Sequence, residues 1–226
     1  DQIVSDLGLN FVTVPRTVSS YTPDLNGTGL YISRQWDQTT ADSFASIPDG
    51  EVDAAAWQQF YGEVAKFAER IAPYMLQPLK SRSELKAAID LPEIWEYLVE
   101  QPIGEIINAR FKSDLVKGVV LTDALIGTHA SADDLLANIC FLYHLIGNGT
   151  GEWKVPKGGM GALVKELERV ARASGVEIRT NSKVTAIASN SDSVTATVEN
   201  GDQFVASHLL SNAAPQVLAK IRNKPK

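Results

Sequence analysis

Apolar residues recur every three to four positions through much of the chain, which is the spacing of amphipathic α-helices. The same spacing predicts helices over 37–47, 82–89, 92–99, 103–111, 113–126 and 131–146. The widest apolar stripe comprises Trp57, Phe60, Tyr61, Val64, Phe67, Ala68, Ile71 and Met75. The middle of the chain is therefore predicted to be a helical subdomain.

Short polar residues predict where several of these helices begin. Asp37 or Thr39 is expected to cap the helix over 37–47, which Pro48-Asp49-Gly50 then ends. Ser113 and Ser131 are predicted N-caps of the last two helices, because acidic residues follow each of them in the first turn.

Strand patterns lie on either side of the helical region. Segments 9–14 and 28–33 are rich in β-branched and aromatic residues, and turn residues separate them, so they predict a small antiparallel sheet. After Trp153 comes a helix with an apolar stripe that Gly175 ends, followed by strands over 176–179, 183–188, 194–199, 203–206 and 208–211. Asn200-Gly201 predicts a type I′ hairpin turn.

This order predicts an α/β (α+β) fold with three parts. Residues 1–36 would form a small antiparallel sheet of the substrate region, and 37–152 a helical substrate-side subdomain. Residues 153–226 would form part of a nucleotide-binding domain, because a strand entered from a helix suits a parallel sheet and the hairpins form an antiparallel meander.

Composition and charge exclude several classes of function. The chain has 226 residues and a formal net charge of −6, which works against binding nucleic acid. A single cysteine, Cys140, cannot form an internal disulfide, and the three histidines are too scattered to predict a metal site. The apolar run over 135–146 is shorter than the ~20 residues that span a bilayer. We expect a cytoplasmic or peripheral membrane protein.

The most informative run begins W-K-V-P-K-G-G-M-G-A-L at Trp153 and continues, after a helix, as G-V-E-I-R-T-N-S-K-V-T; S-N-A-A-P follows at 211–215. This pattern resembles the phytoene dehydrogenase-like branch of the FAD-dependent amine oxidase superfamily. The sequence has no strand followed by G-x-G-x-x-G, the turn that seats a dinucleotide pyrophosphate. The resemblance therefore implies a middle piece of an oxidoreductase, an expectation that Asp at position 1 also favours.

The resemblance implies which residues would contact FAD. The Thr180-Asn181 stretch leads to Val184, whose backbone would lie beside the adenine, although Val184 also fits an ordinary strand. Asn212 and Ala213 would let the backbone approach the dinucleotide, or would form a simple strand-to-helix turn.

Gly159 and Gly161 would lie near the flavin ring, or would serve only a structural turn. Because no strand is predicted before this turn, we do not assign it to phosphate. No catalytic residue is assigned, since the flavin itself takes the hydride.

The function implied for the complete protein is hydride transfer from a C–C or C–N bond of a lipophilic substrate to FAD. Apolar and aromatic side chains of the helices could line a substrate tunnel, although most are expected to be core; they are Trp95, Tyr97, Leu98, Phe111, Phe141 and Tyr143. The sequence has no basic amphipathic helix face of the kind that predicts membrane contact, and whether the protein binds membranes stays an open question. A lipid isomerase or saturase of the same superfamily would differ only in its substrate, and this sequence does not distinguish it from the oxidoreductase.

Alone, this chain is expected to be inactive and to bind FAD weakly or not at all, and the rest of the parent chain is an expected partner. The alternative is a non-enzymatic helical module that binds an apolar ligand or a partner protein.

Overall fold

A computed structural model describes residues 2–25, 27–146 and 153–222. Two compact units divide the chain: the larger is Phe11–Leu163, and the smaller combines Asp1–Asn10 with Val164–Lys226. The predicted division at 36/37 and 152/153 stays a prediction.

The elements are named in chain order. They are α1 (Gln2–Asp6), β1 (Thr13–Pro15), β2 (Val18–Pro23), β3 (Gly29–Ser33), α2 (Gln38–Ala45), α3 (Gly50–Ile71), a 3-10 turn (Ala72–Tyr74), α4 (Arg82–Ile89), α5 (Pro92–Trp95), a π-helical turn (Glu96–Glu100), α6 (Ile103–Arg110), α7 (Asp114–Leu125), α8 (Leu135–Ile146), β4 (Lys154–Pro156), α9 (Met160–Ala173), β5 (Val184–Ser189), β6 (Val194–Val198), β7 (Gln203–Ala206) and α10 (Pro215–Ile221). The predicted α/β (α+β) class is confirmed.

One aromatic cluster forms the centre of the larger unit. Phe60 of α3 is fully buried, and its ring lies 5.4–6.4 Å from the rings of Tyr61, Tyr97, Phe111 and Phe141. These partners come from α3, the π-helical turn, the end of α6, and α8. The stripe predicted from the sequence therefore packs on the core as expected, except that its last member, Met75, is half exposed.

Caps explain where several helices begin. Asp37 caps α2, as predicted, because its carboxylate accepts the Thr40 N–H at 2.8 Å. At the start of α3 the backbone approaches α2 closely: a Cβ on Gly50 would overlap the carbonyl oxygen of Phe44, so only glycine fits. The predicted end of α2 at Pro48-Asp49-Gly50 is thus a tight turn between two packed helices.

The two serine caps differ from the prediction. Ser113 occupies the N-cap position of α7, but its hydroxyl makes no cap bond; Asp53 of α3 accepts the N–H groups of Lys112 and Ser113 instead, each at 2.8 Å. The cap predicted at Ser131 is wrong, because α8 begins only at Leu135, where the Asp134 carboxylate accepts the Leu136 N–H at 2.9 Å. In both cases an aspartate supplies a stronger acceptor than the serine hydroxyl.

The small sheet of the larger unit has different partners from those predicted. Strand β3 pairs with β2, whose residues are alternately half-buried and exposed, and the predicted turn residues Asp24 and Gly27 lie between the two strands. The segment predicted over 9–14 is a strand only at Thr13–Pro15, and it pairs with β4. Sequence reasoning missed β2 because serine and threonine fill half of its positions, and it missed the β1–β4 pair because the two strands lie about 140 residues apart.

In the smaller unit, β5, β6 and β7 form an antiparallel meander, as predicted. The segments predicted as strands over 176–179 and 208–211 have no ladder partner within the described residues. The turn between β6 and β7 is not type I′, because Gly201 has φ +91° while Asn200 is not among the residues with positive φ. The Gly201 N–H donates to the Val198 carbonyl at 2.8 Å, so the loop is a three-residue turn that ends in a glycine bulge.

Helix α9 ends at the predicted glycine. Gly175 has φ +82°, and the Val176 N–H donates to the Ala171 carbonyl at 3.0 Å, which is a Schellman closure. The boundary between the two units falls within this helix, after Leu163. Among the described residues, no helix combines the length and the apolar character that crossing a membrane requires.

Candidate functional site

The glycine turn after β4 has a conformation that only glycine adopts readily. Gly158 has φ +90° and Gly159 has φ +78°, and the Gly159 N–H donates to the Pro156 carbonyl at 2.9 Å. The Lys157 N–H donates to the Val12 carbonyl at 2.8 Å, which fixes the end of β4 against the chain before β1. The premise that no strand precedes this turn is therefore wrong, because the three-residue strand β4 does.

The two glycines predicted to approach the flavin are open on their outer side. A Cβ built on Gly159 or on Gly161 would meet no heavy atom within 4 Å. Glycine is thus required at Gly159 by the backbone conformation and not by crowding, and the space outside the turn is free for a ligand to approach the main chain. Both residues remain predicted contacts.

An aromatic and cationic cluster lies beside the β1–β4 ribbon. The Trp153 ring stacks on His144, with centroids 6.0 Å apart and planes 12° apart, and its Nε1 donates to the His144 carbonyl at 3.2 Å. The Arg16 guanidinium carbon lies 5.9 Å from the centroid of the same tryptophan. His144 is held by Nδ1, 2.8 Å from the Cys140 carbonyl.

Asp123 of α7 belongs to the same region and is the acidic group that sequence reasoning missed. Burial raises the pKa of Asp123, while the charges of His144 and Arg16 oppose that rise. Burial, and the nearby Asp123 carboxylate, in turn raise the pKa of Tyr61. The signal for this site was present in the sequence, since Asp123 is the one charged residue between Gly118 and the end of α7 at Leu125.

Replacing Asp123 with asparagine is expected to stabilise the protein at neutral pH. Because the pKa of Asp123 is higher in the folded state than its ordinary value of 3.8, the unfolded state ionises first, and stability falls as pH rises through that window. An asparagine at this position would not ionise, so Asp123→Asn should lack this fall. Urea unfolding at pH 4 and pH 7 measures how the free energy of unfolding changes between the two pH values, and the exposed Asp133→Asn is the control. If Asp123→Asn were less stable than the parent at pH 7, the proposed effect of Asp123 would be contradicted.

A second polar network joins α3 and α6, although the buried Nη1 of Arg110 has no hydrogen-bond partner among the described residues. The Arg110 guanidinium pairs with Glu63 at 2.7 Å, and the Tyr97 hydroxyl donates to the same Glu63 oxygen. Burial alone would raise the pKa of Glu63, but the hydrogen bonds from Arg110, Tyr97 and Gln59 outweigh it and lower the pKa. Arg110 also lies over the rings of Phe60 and Tyr97, so this network ties α3 to α6 and holds the core together.

In the smaller unit, Val184 directs a backbone donor to an open sheet edge. The Lys183 carbonyl accepts the Glu199 N–H at 2.9 Å, so it points toward β6. In a trans peptide the N–H of the next residue points the opposite way, and the Val184 N–H therefore faces away from β6. Within the described residues β5 has no other ladder partner, apart from one parallel bridge between Ile187 and Arg222 at its far end.

The residues before Val184 form a tight turn next to a small pocket. Asn181 has φ +55°, a left-handed conformation that asparagine tolerates, and the Ser182 hydroxyl donates to the Thr180 carbonyl at 3.0 Å. The pocket is lined by Asn181, Ser182, Val198, Glu199 and Asn200. This pocket lies on the β6 side of the Thr-Asn-x-x-Val stretch, whereas the Val184 N–H faces the opposite edge of β5.

The second predicted contact of this unit, Asn212-Ala213, leads into α10. Both residues are exposed, and the Ala213 N–H donates to the Ser211 hydroxyl at 3.3 Å. Pro215 occupies the first turn of α10, and α10 packs against β5. The structure therefore holds Val184, Asn212 and Ala213 in one unit, while Gly159 and Gly161 belong to the other.

Comparison with known proteins decides the family. The sequence profile of flavin containing amine oxidoreductases matches residues 2–226. This chain belongs to the flavin-containing amine oxidoreductase family. The predicted superfamily is thereby confirmed, while membership of its phytoene dehydrogenase-like branch stays a prediction.

The curated relatives of this amine oxidoreductase family member are longer proteins. An uncharacterized protein of Mycobacterium tuberculosis is 35% identical over 99% of this chain, which covers 44% of that relative. A mouse protein, pyridine nucleotide-disulfide oxidoreductase domain-containing protein 2, is 32% identical over 63% of this chain and 27% of its own length. The chain thus spans less than half the length of these relatives.

The fold agrees with a solved structure of the amine oxidoreductase type. A redesigned triple mutant of putrescine oxidase superposes with a TM-score of 0.51 at 18% identity, covering 97% of this chain and 45% of that one. This likeness shows the fold. The main-chain donor at the open edge of β5 is of the kind that can bind the base of a flavin nucleotide.

Proposed function

We propose that this chain contributes the adenine-side strand edge and the substrate-side helices of an FAD-dependent oxidoreductase. The observation that carries the proposal is the Val184 N–H, which faces the open edge of β5. Such a donor recognises a base through the main chain, without a charged side chain. Asn212 and Ala213 would let the dinucleotide pass close to the backbone of the same unit.

The glycine turn of the larger unit is proposed to lie near the flavin ring. Gly159 and Gly161 offer open space, and they precede or begin a helix of 14 residues whose first N–H groups favour a negative or polar partner. Bound FAD would supply the hydride acceptor for oxidation of a C–C or C–N bond. This chain's residues would orient the cofactor and exclude water from it.

The substrate is proposed to be lipophilic, as expected for a phytoene dehydrogenase-like enzyme. Of the side chains suggested for a tunnel, five are buried in the core and only Tyr143 is exposed. Tyr143 lies on one face of α8 with Leu136 and Ile139, and all three are more than half exposed. This apolar face is the part of the helical unit that we propose lines the substrate chamber.

The rest of the parent chain is the proposed partner of the smaller unit. No residue of α9 is buried, and its apolar face includes the exposed Val164 and Leu167. Val176 and Leu210, in the segments predicted as strands, are also exposed. Further strands and helices of the nucleotide-binding domain would cover these apolar side chains.

Replacing Val184 with proline tests the proposed adenine contact in the complete gene product. Val184→Pro removes the N–H that faces the open edge, whereas Val184→Ala keeps it. We expect Val184→Pro to weaken FAD binding by on the order of tenfold, the loss of one hydrogen bond, and Val184→Ala to bind nearly as the parent does. Flavin fluorescence during titration measures the affinity.

Proline is tolerated at the first residue of an edge strand, so the variant should fold. Circular dichroism of both variants checks this. Equal FAD affinity in the two folded variants would contradict the role proposed for Val184.

A non-enzymatic module that binds an apolar ligand is the second candidate function. The exposed apolar face of α8 is the observation that favours it. It requires no cofactor, so failure of the complete gene product to bind FAD would favour this module over the enzyme.

A further inference from the structure

Four polar side chains of the larger unit lie in one region of the fold without forming hydrogen bonds to one another. They are Tyr61 of α3, Asp123 of α7, His144 of α8 and Arg16, which follows β1. Asp123 interacts electrostatically with each of the other three, yet no described residue donates a hydrogen bond to its carboxylate. The Tyr61 hydroxyl likewise has no hydrogen-bond partner among the described residues.

Buried polar side chains elsewhere in this unit are paired within the fold. Asp53 accepts two backbone N–H groups at the start of α7. Asn138 accepts the Ile103 N–H at 3.0 Å and donates to the Gln101 carbonyl at 2.8 Å. Since buried polar groups in proteins are almost always paired, the desolvated but unpaired groups around Asp123 indicate that a polar group from outside the described residues binds there.

The unpaired atoms have defined hydrogen-bonding roles. A carbonyl only accepts, so the His144 Nδ1, 2.8 Å from the Cys140 carbonyl, carries a proton, and Nε2 is the acceptor of the neutral ring. Burial and the Asp123 carboxylate raise the pKa of Tyr61, so its hydroxyl keeps its proton at neutral pH and can donate. Asp123 only accepts while it is ionised. A group that both accepts and donates hydrogen bonds therefore satisfies this cluster.

The charges of the cluster favour a neutral group. Arg16 is positive and the ionised Asp123 is negative, so each repels a ligand group of its own sign. An ammonium group at Asp123 would lie near Arg16, and a carboxylate at Arg16 would lie near Asp123. A hydroxyl is neutral, accepts from Tyr61 and donates to Asp123, and so avoids both repulsions.

An apolar surface adjoins the polar cluster. The ring of Tyr143 lies 5.5 Å from the ring of His144. Tyr143 belongs to the exposed apolar face of α8, together with Leu136 and Ile139. A polar site at the end of an apolar face suits a ligand that has a hydrocarbon body and one polar end.

We propose that Tyr61 and Asp123 bind the hydroxyl group of a lipophilic alcohol, whose hydrocarbon chain lies on the exposed face of α8. Arg16 would select against an amine of the same length, and Asp123 against a carboxylate. This inference rests on the proposed function, because it takes this face of α8 to line the substrate chamber, and it adds the polar group of the substrate. The rival partner of the cluster is a polar side chain from the rest of the longer parent chain.

Ligands that differ only in their head group test the proposal without any variant. The probes are 1-octanol, octyl methyl ether, octylamine and octanoate, titrated into the complete gene product by calorimetry. We expect 1-octanol to bind about tenfold more tightly than the ether, which cannot donate to Asp123, and more tightly than either charged probe. Equal affinity for alcohol and ether, tighter binding of a charged probe, or no binding at all would overturn the proposal. A cluster filled by the parent chain itself would give the first or the last of these results.

Tyr61→Phe locates the site, because it removes only the hydroxyl. We expect the variant to bind 1-octanol about tenfold more weakly than the parent. Tyr21→Phe, at an exposed tyrosine of β2, is the matched control and should bind as the parent does. The Tyr61 hydroxyl has no partner among the described residues, so its loss should leave the fold intact, which circular dichroism checks. Equal 1-octanol affinity in the two folded variants would overturn the assignment.

FAD affinity separates this proposal from the proposed function. Flavin fluorescence measures FAD binding to the same complete gene product. If FAD binds but 1-octanol binds no better than the ether, the hydroxyl site is overturned and the flavoenzyme stands. If 1-octanol binds as expected and FAD does not bind, the hydroxyl site is supported and belongs to the apolar ligand-binding module instead of a flavoenzyme.

Discussion

Asp53→Ala is expected to destabilise the helical unit by about 3–5 kcal/mol. Asp53 is fully buried, and its two carboxylate oxygens accept the N–H groups of Lys112 and Ser113, each at 2.8 Å. Alanine would leave both donors buried without a partner at the start of α7. Urea unfolding, followed by circular dichroism, measures the change in the free energy of unfolding.

Asp114→Ala is the matched control for Asp53→Ala. Asp114 lies in the first turn of the same helix, but its side chain is almost fully exposed and pairs only with Lys117 at 3.4 Å. Its loss should cost no more than about 1 kcal/mol, since an exposed pair and a dipole contact are each small. Similar losses in the two variants would show that Asp53 does not cap α7.

Phe60→Ala is expected to cost about 3–5 kcal/mol, because it opens a cavity at the centre of the aromatic cluster. The ring is fully buried, and it also lies 5.6 Å from the Arg110 guanidinium carbon, so its loss loosens the contact between α3 and α6. The change should appear in both the unfolding midpoint and the near-ultraviolet circular dichroism, which reports aromatic packing.

Phe204→Ala serves as the control for Phe60→Ala. Phe204 is a partly exposed strand residue of the smaller unit, and its ring packs against Arg179 at 4.8 Å. Losing this ring should cost about 1 kcal/mol. A loss for Phe60→Ala no larger than that for Phe204→Ala would contradict the position assigned to Phe60 in the core.

Local sequence patterns predicted the helices well where the signals lie within the helix. Helix α4 has the predicted bounds, α2 begins at its predicted cap, and α9 ends at Gly175 as expected. The apolar stripe of α3 predicted its buried face because one periodicity runs from Trp57 to Ile71, the end of the helix. These features depend on residues a few positions apart, which is the range that a sequence pattern can report.

Features that depend on distant residues were missed or misplaced. Asp53, about 60 residues before α7, accepts the N–H groups at the start of that helix. Local sequence does not show this contact, so Ser113 was predicted to be the cap. Strand β1 pairs with β4, and neither three-residue strand carries a pattern of its own.

The candidate site was only partly accessible from the sequence. The resemblance pointed to Val184 and to the glycine turn, but the direction of the Val184 N–H follows from the Lys183–Glu199 hydrogen bond. Asp123 was not singled out, and Tyr61 was named only as a member of the apolar stripe, because their electrostatic interaction joins two helices. Sequence reasoning thus predicted backbone-mediated contacts, which lie in a recognisable motif, and missed side-chain interactions between helices.

Titration with FAD tests the central claim most directly. The complete gene product and this chain, both shown to be folded, are titrated and followed by flavin fluorescence. We expect the complete gene product to bind FAD and this chain to bind it weakly or undetectably. If neither protein binds FAD, the flavin site is contradicted and the apolar ligand-binding module becomes the better explanation.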